Sequence, residues 1–232
     1  MLSVFKAYPL ICLMGIGFVI GVPMMWKYRA KIGLEKFWQI FLLSVACSVS
    51  GFVGMKLLGF VEGLLGADGG TVRIYGVFFF ESLILLAIVK LVHLNVEGFF
   101  DSLAIVTIPS MFFGRIGCII SGCCGGKLIP GTSMRWPTRE SELLFYIVVF
   151  LVLLRMEKSK HTRGQLFPFL MVTYGCFRFV NEFFRIGKVL TMGLHLAHVW
   201  SIFSVIIGAS IIFELKLQAE RKTAYDNRHR RK

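Results

Sequence analysis

The chain has 232 residues, 56% of them hydrophobic, and a mean hydropathy of +0.73. A soluble domain needs a polar surface and does not reach that average, so the composition implies a membrane protein. Lys and Arg number 26 against 13 Asp and Glu, a net charge of +13. The basic residues fall mainly between apolar runs, and no aromatic platform lies beside a basic groove. That pattern excludes nucleic acid as a partner and fits topology signals and anionic lipid headgroups.

In chain order, Lys6 precedes a first apolar run in which Pro9, Gly15, Gly17 and Gly21 lead on to Pro23, Met24, Met25 and Trp26. No small-residue cleavage pattern follows, so the run reads as a retained span rather than a signal peptide. At about 20 apolar residues per span, the sequence predicts about seven helices. They lie near 8–26, 37–60, 75–94, 99–120, 142–154, 165–184 and 194–215. The fifth is short in its uncharged core. The expected fold is therefore all-α and polytopic: one transmembrane helical domain over 1–215, then a basic tail over 216–232.

Charge orients the set. Lys27, Arg29, Lys31 and Lys36 lie between the first two spans, and Arg155, Lys158, Lys160 and Arg163 between the fifth and sixth. Arg221, Lys222, Arg228, Arg230, Arg231 and Lys232 crowd the tail. An odd number of spans puts all three groups on one side, which the positive-inside rule makes cytoplasmic. The N-terminus is then expected outside, with the 66–73 and 121–140 segments. Those outer segments are dense in glycine and still carry Arg115, Lys127, Arg135 and Arg139, basic residues on the side the rule disfavours.

The strongest local signal is Tyr174-Gly175-Cys176-Phe177-Arg178-Phe179-Val180-Asn181-Glu182-Phe183-Phe184-Arg185. Spacing of four and then three puts Arg178, Glu182 and Arg185 on one helix face. Either the charges neutralise one another within the bundle, or they serve a ligand. Two arginines facing one glutamate leave a positive charge seeking an anion, and an intramembrane charge is by default a functional candidate. The planar guanidinium fork suits a phosphate. A second signal, Gly114-Arg115-Ile116-Gly117-Cys118, lies at the outward end of the fourth span. Arg115 either snorkels to the interface or, between glycines that permit close approach, joins Arg178 in a cradle for a headgroup phosphate.

At these two stretches the sequence resembles the prolipoprotein diacylglyceryl transferases. That family's Tyr-Gly-x-x-Arg-x-x-x-Glu-x-x-Arg signature is matched by Tyr174, Gly175, Arg178, Glu182 and Arg185. Its Gly-Arg-x-Gly-Asn stretch is matched by Gly114, Arg115 and Gly117, with Cys118 in place of Asn. Asp68-Gly69-Gly70 followed by Tyr75-Gly76 looks like its His-Gly-Gly region. Arg135-Trp136-Pro137-Thr138 followed by Glu142 looks like its His-Pro-Ser/Thr segment, and Met192-Gly193 like its Ser-Met-Gly turn.

The resemblance implies seven spans, an outside N-terminus and an inside C-terminus. It also implies transfer of a diacylglyceryl group from phosphatidylglycerol to the lipobox cysteine thiol of a preprolipoprotein, at the outer leaflet of the bacterial inner membrane. It makes Arg115, Arg178, Tyr75 and Glu182 the catalytic candidates. Arg185, Gly114, Gly117, Tyr174, Gly76 and Arg135 become the substrate-binding candidates. No cofactor or metal is expected.

The departures leave alternatives open. Tyr75 stands where the family has His and is a poorer base at neutral pH; it either orients a phosphate oxygen or anchors at the interface. Ser141 stands where the family has Tyr. Cys118, Cys123 and Cys124 cluster without metal-site spacing or a nearby His; they either pack a crowded turn or take part in the acceptor chemistry. His195 and His198, at the outer start of the last span, are either a base or polar interface residues. The expected rivals are a paralogue using the same lipid with another acceptor and a phospholipid binder or transporter without chemistry.

Overall fold

The structure is a computed structural model that describes residues 9–64, 74–123, 125–159, 162–186 and 194–230, with side chains described from 15 to 222. Long apolar runs with few helix breakers fold as helices because every backbone N–H and C=O is then satisfied within its own segment. Helix α1 (Pro9–Lys27) is followed by the single turn α2 (Arg29–Ile32) and by α3 (Phe37–Leu64). A π-helical turn, Val77–Glu81, opens into α4 (Ser82–Leu91). Then come α5 (Val96–Ile120), α6 (Thr138–Glu157), α7 (Leu166–Glu182) and α8 (Leu196–Arg230).

Each of the seven expected segments is thus occupied by helix. Phe37–Leu64, Val96–Ile120 and Leu196–Lys222 are long and apolar enough to cross a membrane, and Gly15–Lys27 is a shorter apolar helix. Helix α6 is longer than its uncharged core because Arg139, Glu140 and Glu142 extend its start and Arg155 and Glu157 its end. Helix α8 runs through residue 215 without a break, so the basic tail continues the last helix as far as Arg230. Glu, Lys, Arg and Gln are strong helix formers, and charge alone does not stop a helix.

Burial is inverted relative to a soluble protein. Phe37, Trp38, Phe52 and Phe60 of α3, Leu144 and Leu151 of α6 and Ile206 and Phe213 of α8 are exposed. Glu62, Glu81, Asp101, Glu142, Arg178, Glu182 and His198 are buried. An apolar exterior around a polar interior is what a bilayer solvent selects.

Close helix approach depends on small residues. Gly76, just before the π-turn, lies against Gly54 of α3, where an added Cβ would stand 2.2 Å from the Gly54 carbonyl oxygen. A Cβ at Gly175 of α7 would meet the Ser201 carbonyl oxygen of α8 at 2.9 Å. These contacts let backbones pack where lipid offers no hydrophobic drive between helices.

Asp101 sets the register of α5 against α7. Its carboxylate accepts hydrogen bonds from the backbone N–H of Gly164 at 2.7 Å and of Leu166 at 3.0 Å, capping the start of α7 from a neighbouring helix. From Asp101 to Arg115 is 14 residues and from Leu166 to Arg178 is 12, about 21 and 18 Å of helical rise. The two arginines therefore reach a similar depth at the far ends of their helices.

There the 125–136 segment closes on itself and on the end of α7. Trp136 N–H donates to the Lys127 carbonyl at 2.9 Å, Lys127 N–H to Phe184 O at 2.8 Å, and Ile186 N–H to Gly125 O at 3.3 Å. Isolated bridges pair Gly126 with Arg185 and Leu128 with Arg135. Gly126 occupies the middle, where a Cβ would stand 2.2 Å from Trp136 O.

Asp101→Ala removes both acceptors from the first turn of α7 and is expected to cost about 1–3 kcal/mol, measured as thermal stability of the purified protein in detergent. Asp101→Asn, which keeps one oxygen acceptor, should lose less. Equal stability of the Ala variant and the parent would refute Asp101 as the register anchor.

Candidate active site

The site assembles around one carboxylate. Glu142 lies in the second turn of α6 and is fully buried. Its Oε1 takes Arg178 Nη1 at 2.6 Å and Arg185 Nη1 at 3.3 Å from α7 and the turn after it, while its Oε2 pairs with Arg115 Nη2 from α5. Asn181 Nδ2 donates to the same Oε1 at 3.2 Å and to the Thr138 carbonyl at 3.1 Å. Tyr146 OH, one turn further along α6, lies 3.4 Å from Oε2.

Glu182 forms the second support. Its Oε2 lies 2.8 Å from Arg178 Nη2 and 3.8 Å from Arg185 Nε, and its Oε1 meets His195 Nδ1 at 3.1 Å. Arg178 thus spans both carboxylates through its two terminal nitrogens, a use of the planar fork that an ammonium does not reproduce. Arg115, Arg178 and Arg185 against Glu142 and Glu182 leave a formal charge of +1 in the cluster.

Aromatic rings wall this charge from the rest of the core. Tyr174 stacks on Tyr146 with centroids 6.4 Å apart and packs edge-on to Tyr75 at 5.7 Å and tilted against Phe78 at 5.2 Å. In such low-dielectric surroundings an unsatisfied polar atom is costly. Several are nonetheless present beside the cluster: Tyr174 OH, Arg178 Nε, His195 Nε2 and His198 Nε2 are buried without a hydrogen-bond partner among the described residues. Unmet donors and acceptors around a net positive charge fit an anionic, hydrogen-bonding ligand.

The expected residues separate accordingly. Arg115, Arg178, Glu182 and Arg185 come together, with Tyr174 against them. Tyr75 is buried, one ring away, with its hydroxyl 2.6 Å from Ser201 Oγ and its ring stacked on Phe79. A side chain enclosed in this way is not an interfacial anchor. Gly76 serves the approach to α3, and Gly117 is buried on α5 beside half-buried Gly114. Arg135 stays outside the cluster, exposed on the hairpin and donating to Gly126 O at 3.3 Å.

Cys118 and Cys123 shape the turn after α5, where Cys123 Sγ lies 3.7 Å from Cys118 O and Arg139 donates to Cys123 O at 3.4 Å. Cys124, Asp68, Gly69, Gly70, Met192 and Gly193 lie outside the described residues. No cluster of metal-ligating side chains occurs among the described residues. A polar cleft of about 710 Å³, lined by Lys31, Glu97, Asp101, Glu157 and Arg163, sits at the opposite ends of α5 and α6 and belongs to the cytoplasmic-type charge pattern rather than to the arginines.

The residue that sequence reasoning left without a role is Glu142. In Arg139-Glu140-Ser141-Glu142 it reads as one of two carboxylates near the start of a helix. The signal that would have found it was charge: three arginines entering one apolar bundle need more acid than Glu182 supplies.

Glu142→Ala leaves three buried guanidiniums on one carboxylate, and its expected cost is about 3–5 kcal/mol, read as loss of thermal stability or of inserted protein. Glu140→Ala, two residues earlier and half exposed, should change stability by no more than about 0.5 kcal/mol. Equal effects of the two would refute Glu142 as the hub.

Comparison with known proteins agrees with this geometry. The family model for prolipoprotein diacylglyceryl transferase matches residues 4–214. The phosphatidylglycerol–prolipoprotein diacylglyceryl transferase of Clostridium tetani is 25% identical, covering 94% of this chain and 95% of its own. The enzymes of the same name from Dehalococcoides mccartyi and Helicobacter pylori are 24% and 27% identical, over 86% and 90% of this chain and 85% and 76% of theirs. Matched over most of its length and carrying the arginine signature in one buried cluster, the chain belongs to the prolipoprotein diacylglyceryl transferase family, a family of transferases in lipoprotein biosynthesis.

Proposed function

We propose that this protein transfers the diacylglyceryl group of phosphatidylglycerol to the thiol of a lipobox cysteine on a preprolipoprotein, releasing glycerol phosphate. The observation that carries the proposal is the buried cluster of Arg115, Arg178 and Arg185 on Glu142 and Glu182, with its excess positive charge and unmet polar atoms. In this reading seven helices cross the bacterial cytoplasmic membrane, the N-terminus lies outside and the basic tail inside, and the site faces the outer leaflet. The distribution of Lys and Arg between the helices supports that orientation.

A phosphodiester headgroup carries one negative charge, which the +1 cluster complements. As the sulfur forms its bond to the terminal glyceryl carbon, the carbon–oxygen bond breaks and its electron pair stays on the phosphate. The negative charge on that phosphate therefore grows along the reaction, so fixed guanidiniums bind the transition state more tightly than the intact lipid. Arg178 and Arg115 hold the phosphate, Glu142 and Glu182 fix their forks, and Arg185 guides the headgroup. None of these steps requires a metal or an organic cofactor.

The test incubates membranes containing the protein with glycerol-backbone-labelled phosphatidylglycerol and a lipobox peptide. Label on the peptide thiol is the expected result. Label released without reaching the peptide would transfer the site to a paralogue with another acceptor, and intact lipid would make it a binder. Arg178→Lys should lower transfer at least about 100-fold with the protein still inserted, because Lys reaches only one of the two carboxylates. Turnover near that of the parent would refute the cradle.

A further inference from the structure

Resting on the transfer proposed above, we infer that His195 is the base that takes the proton from the acceptor thiol. Glu182 Oε1 lies 3.1 Å from His195 Nδ1. An ionised carboxylate only accepts hydrogen bonds, so the hydrogen of a neutral ring sits on Nδ1 and the lone pair on Nε2. Arg178 and Arg185 gather at the other oxygen of Glu182. His195 itself is 4% exposed, and its Nε2 is buried with no hydrogen-bond partner among the described residues. A carboxylate-oriented imidazole with its basic nitrogen unoccupied is the arrangement of a general base.

The same geometry separates His195 from His198, which sequence left equivalent. The His195 backbone N–H donates to His198 Nδ1 at 2.9 Å. The His195 carbonyl oxygen lies 3.3 Å from the same Nδ1, so that nitrogen is taken up within its own turn. Phe179 and Phe183 box its ring with centroids 5.1 and 4.5 Å away. His198 is therefore held by backbone and aromatic rings, whereas His195 is held by a carboxylate. Tyr75 is no competitor, since its hydroxyl is engaged with Ser201 and a phenol is a weak general base near neutral pH.

One carboxylate thus carries both halves of the chemistry. Glu182 Oε2 steadies the guanidinium that receives the leaving phosphate, and Oε1 steadies the imidazole that deprotonates the nucleophile. The thiol proton moves to His195 Nε2 as the sulfur pair forms the bond to the glyceryl carbon and the carbon–oxygen pair departs on the phosphate. The imidazolium, held beside Glu182, then returns its proton to glycerol phosphate or water.

The experiment compares the full-length parent with His195→Gln, in vesicles containing phosphatidylglycerol, on a lipobox peptide and on the same peptide with selenocysteine in place of cysteine. Gln can still donate to Glu182 but accepts no proton, whereas a selenol is already ionised near neutral pH and needs no base. The expected result is a loss in kcat of at least about 100-fold on the cysteine peptide, with little change in KM for the lipid. On the selenocysteine peptide the variant should come within about tenfold of the parent. Cysteine turnover within threefold of the parent, or equal losses on both peptides, would overturn His195 as the base. A parent that labels neither peptide would instead overturn the transfer itself, and this inference with it.

Discussion

Everything around the site follows from the cost of holding charge in an apolar bundle. Three guanidiniums cannot enter such a medium singly; each requires an acid and hydrogen-bond partners in good geometry. Glu142 answers for all three at once, and Glu182 for two of them. The positions of α5, α6 and α7 are therefore coupled through one carboxyl group, and the hairpin that ties Gly126 to Arg185 closes the arrangement from outside the helices. The cluster stops short of neutrality, and on the proposed function that remainder makes it a receptor for an anion rather than a structural lock.

On the proposed function, specificity and chemistry fall on opposite faces of the same groups. A guanidinium that spans two carboxylates has little freedom left, so its remaining N–H bonds point where the framework directs them. Preorganisation of this kind is effective where water is excluded, because dipoles that are already oriented need not reorganise as charge moves. Tyr146, Tyr174, Tyr75 and Phe78 provide that dry wall. The three tyrosine hydroxyls add polar tips to an otherwise apolar lining.

Sequence reveals those features whose cause is local. Apolar length placed all seven helical segments, and the four-residue spacing put Arg178 and Glu182 on one helix face; the helix ends at Glu182, and Arg185 reaches the same cluster from the turn after it rather than from the expected helix face. The resemblance at Gly114-Arg115-Ile116-Gly117 brought the second helix into the site. Glu142 stayed hidden because its partners lie 36 residues and more away on one side and 27 on the other, and nothing in its own turn distinguishes it from Glu140. Tyr75 reads alike as core or interface, since an aromatic residue at the edge of a span suits both. The π-turn beside it, which buries Glu81 against Gly51, has no periodic signature at all. His195 acquires meaning only from the direction of the second oxygen of Glu182.

The pairing of Arg115 with Glu142 also bears on how the protein is made. On the proposed topology, α5 and α6 leave the ribosome as an adjacent pair and carry one arginine and one glutamate that already match. Their charges can enter the bilayer as a neutral couple before α7 has been synthesised. Arg178 and Arg185 then arrive on a helix that brings its own Glu182 and finds Asp101 waiting to receive its first turn. On that topology the surplus charge is created when α7 docks, so the proposed affinity for an anion arises before α8, the last helix, packs along α7.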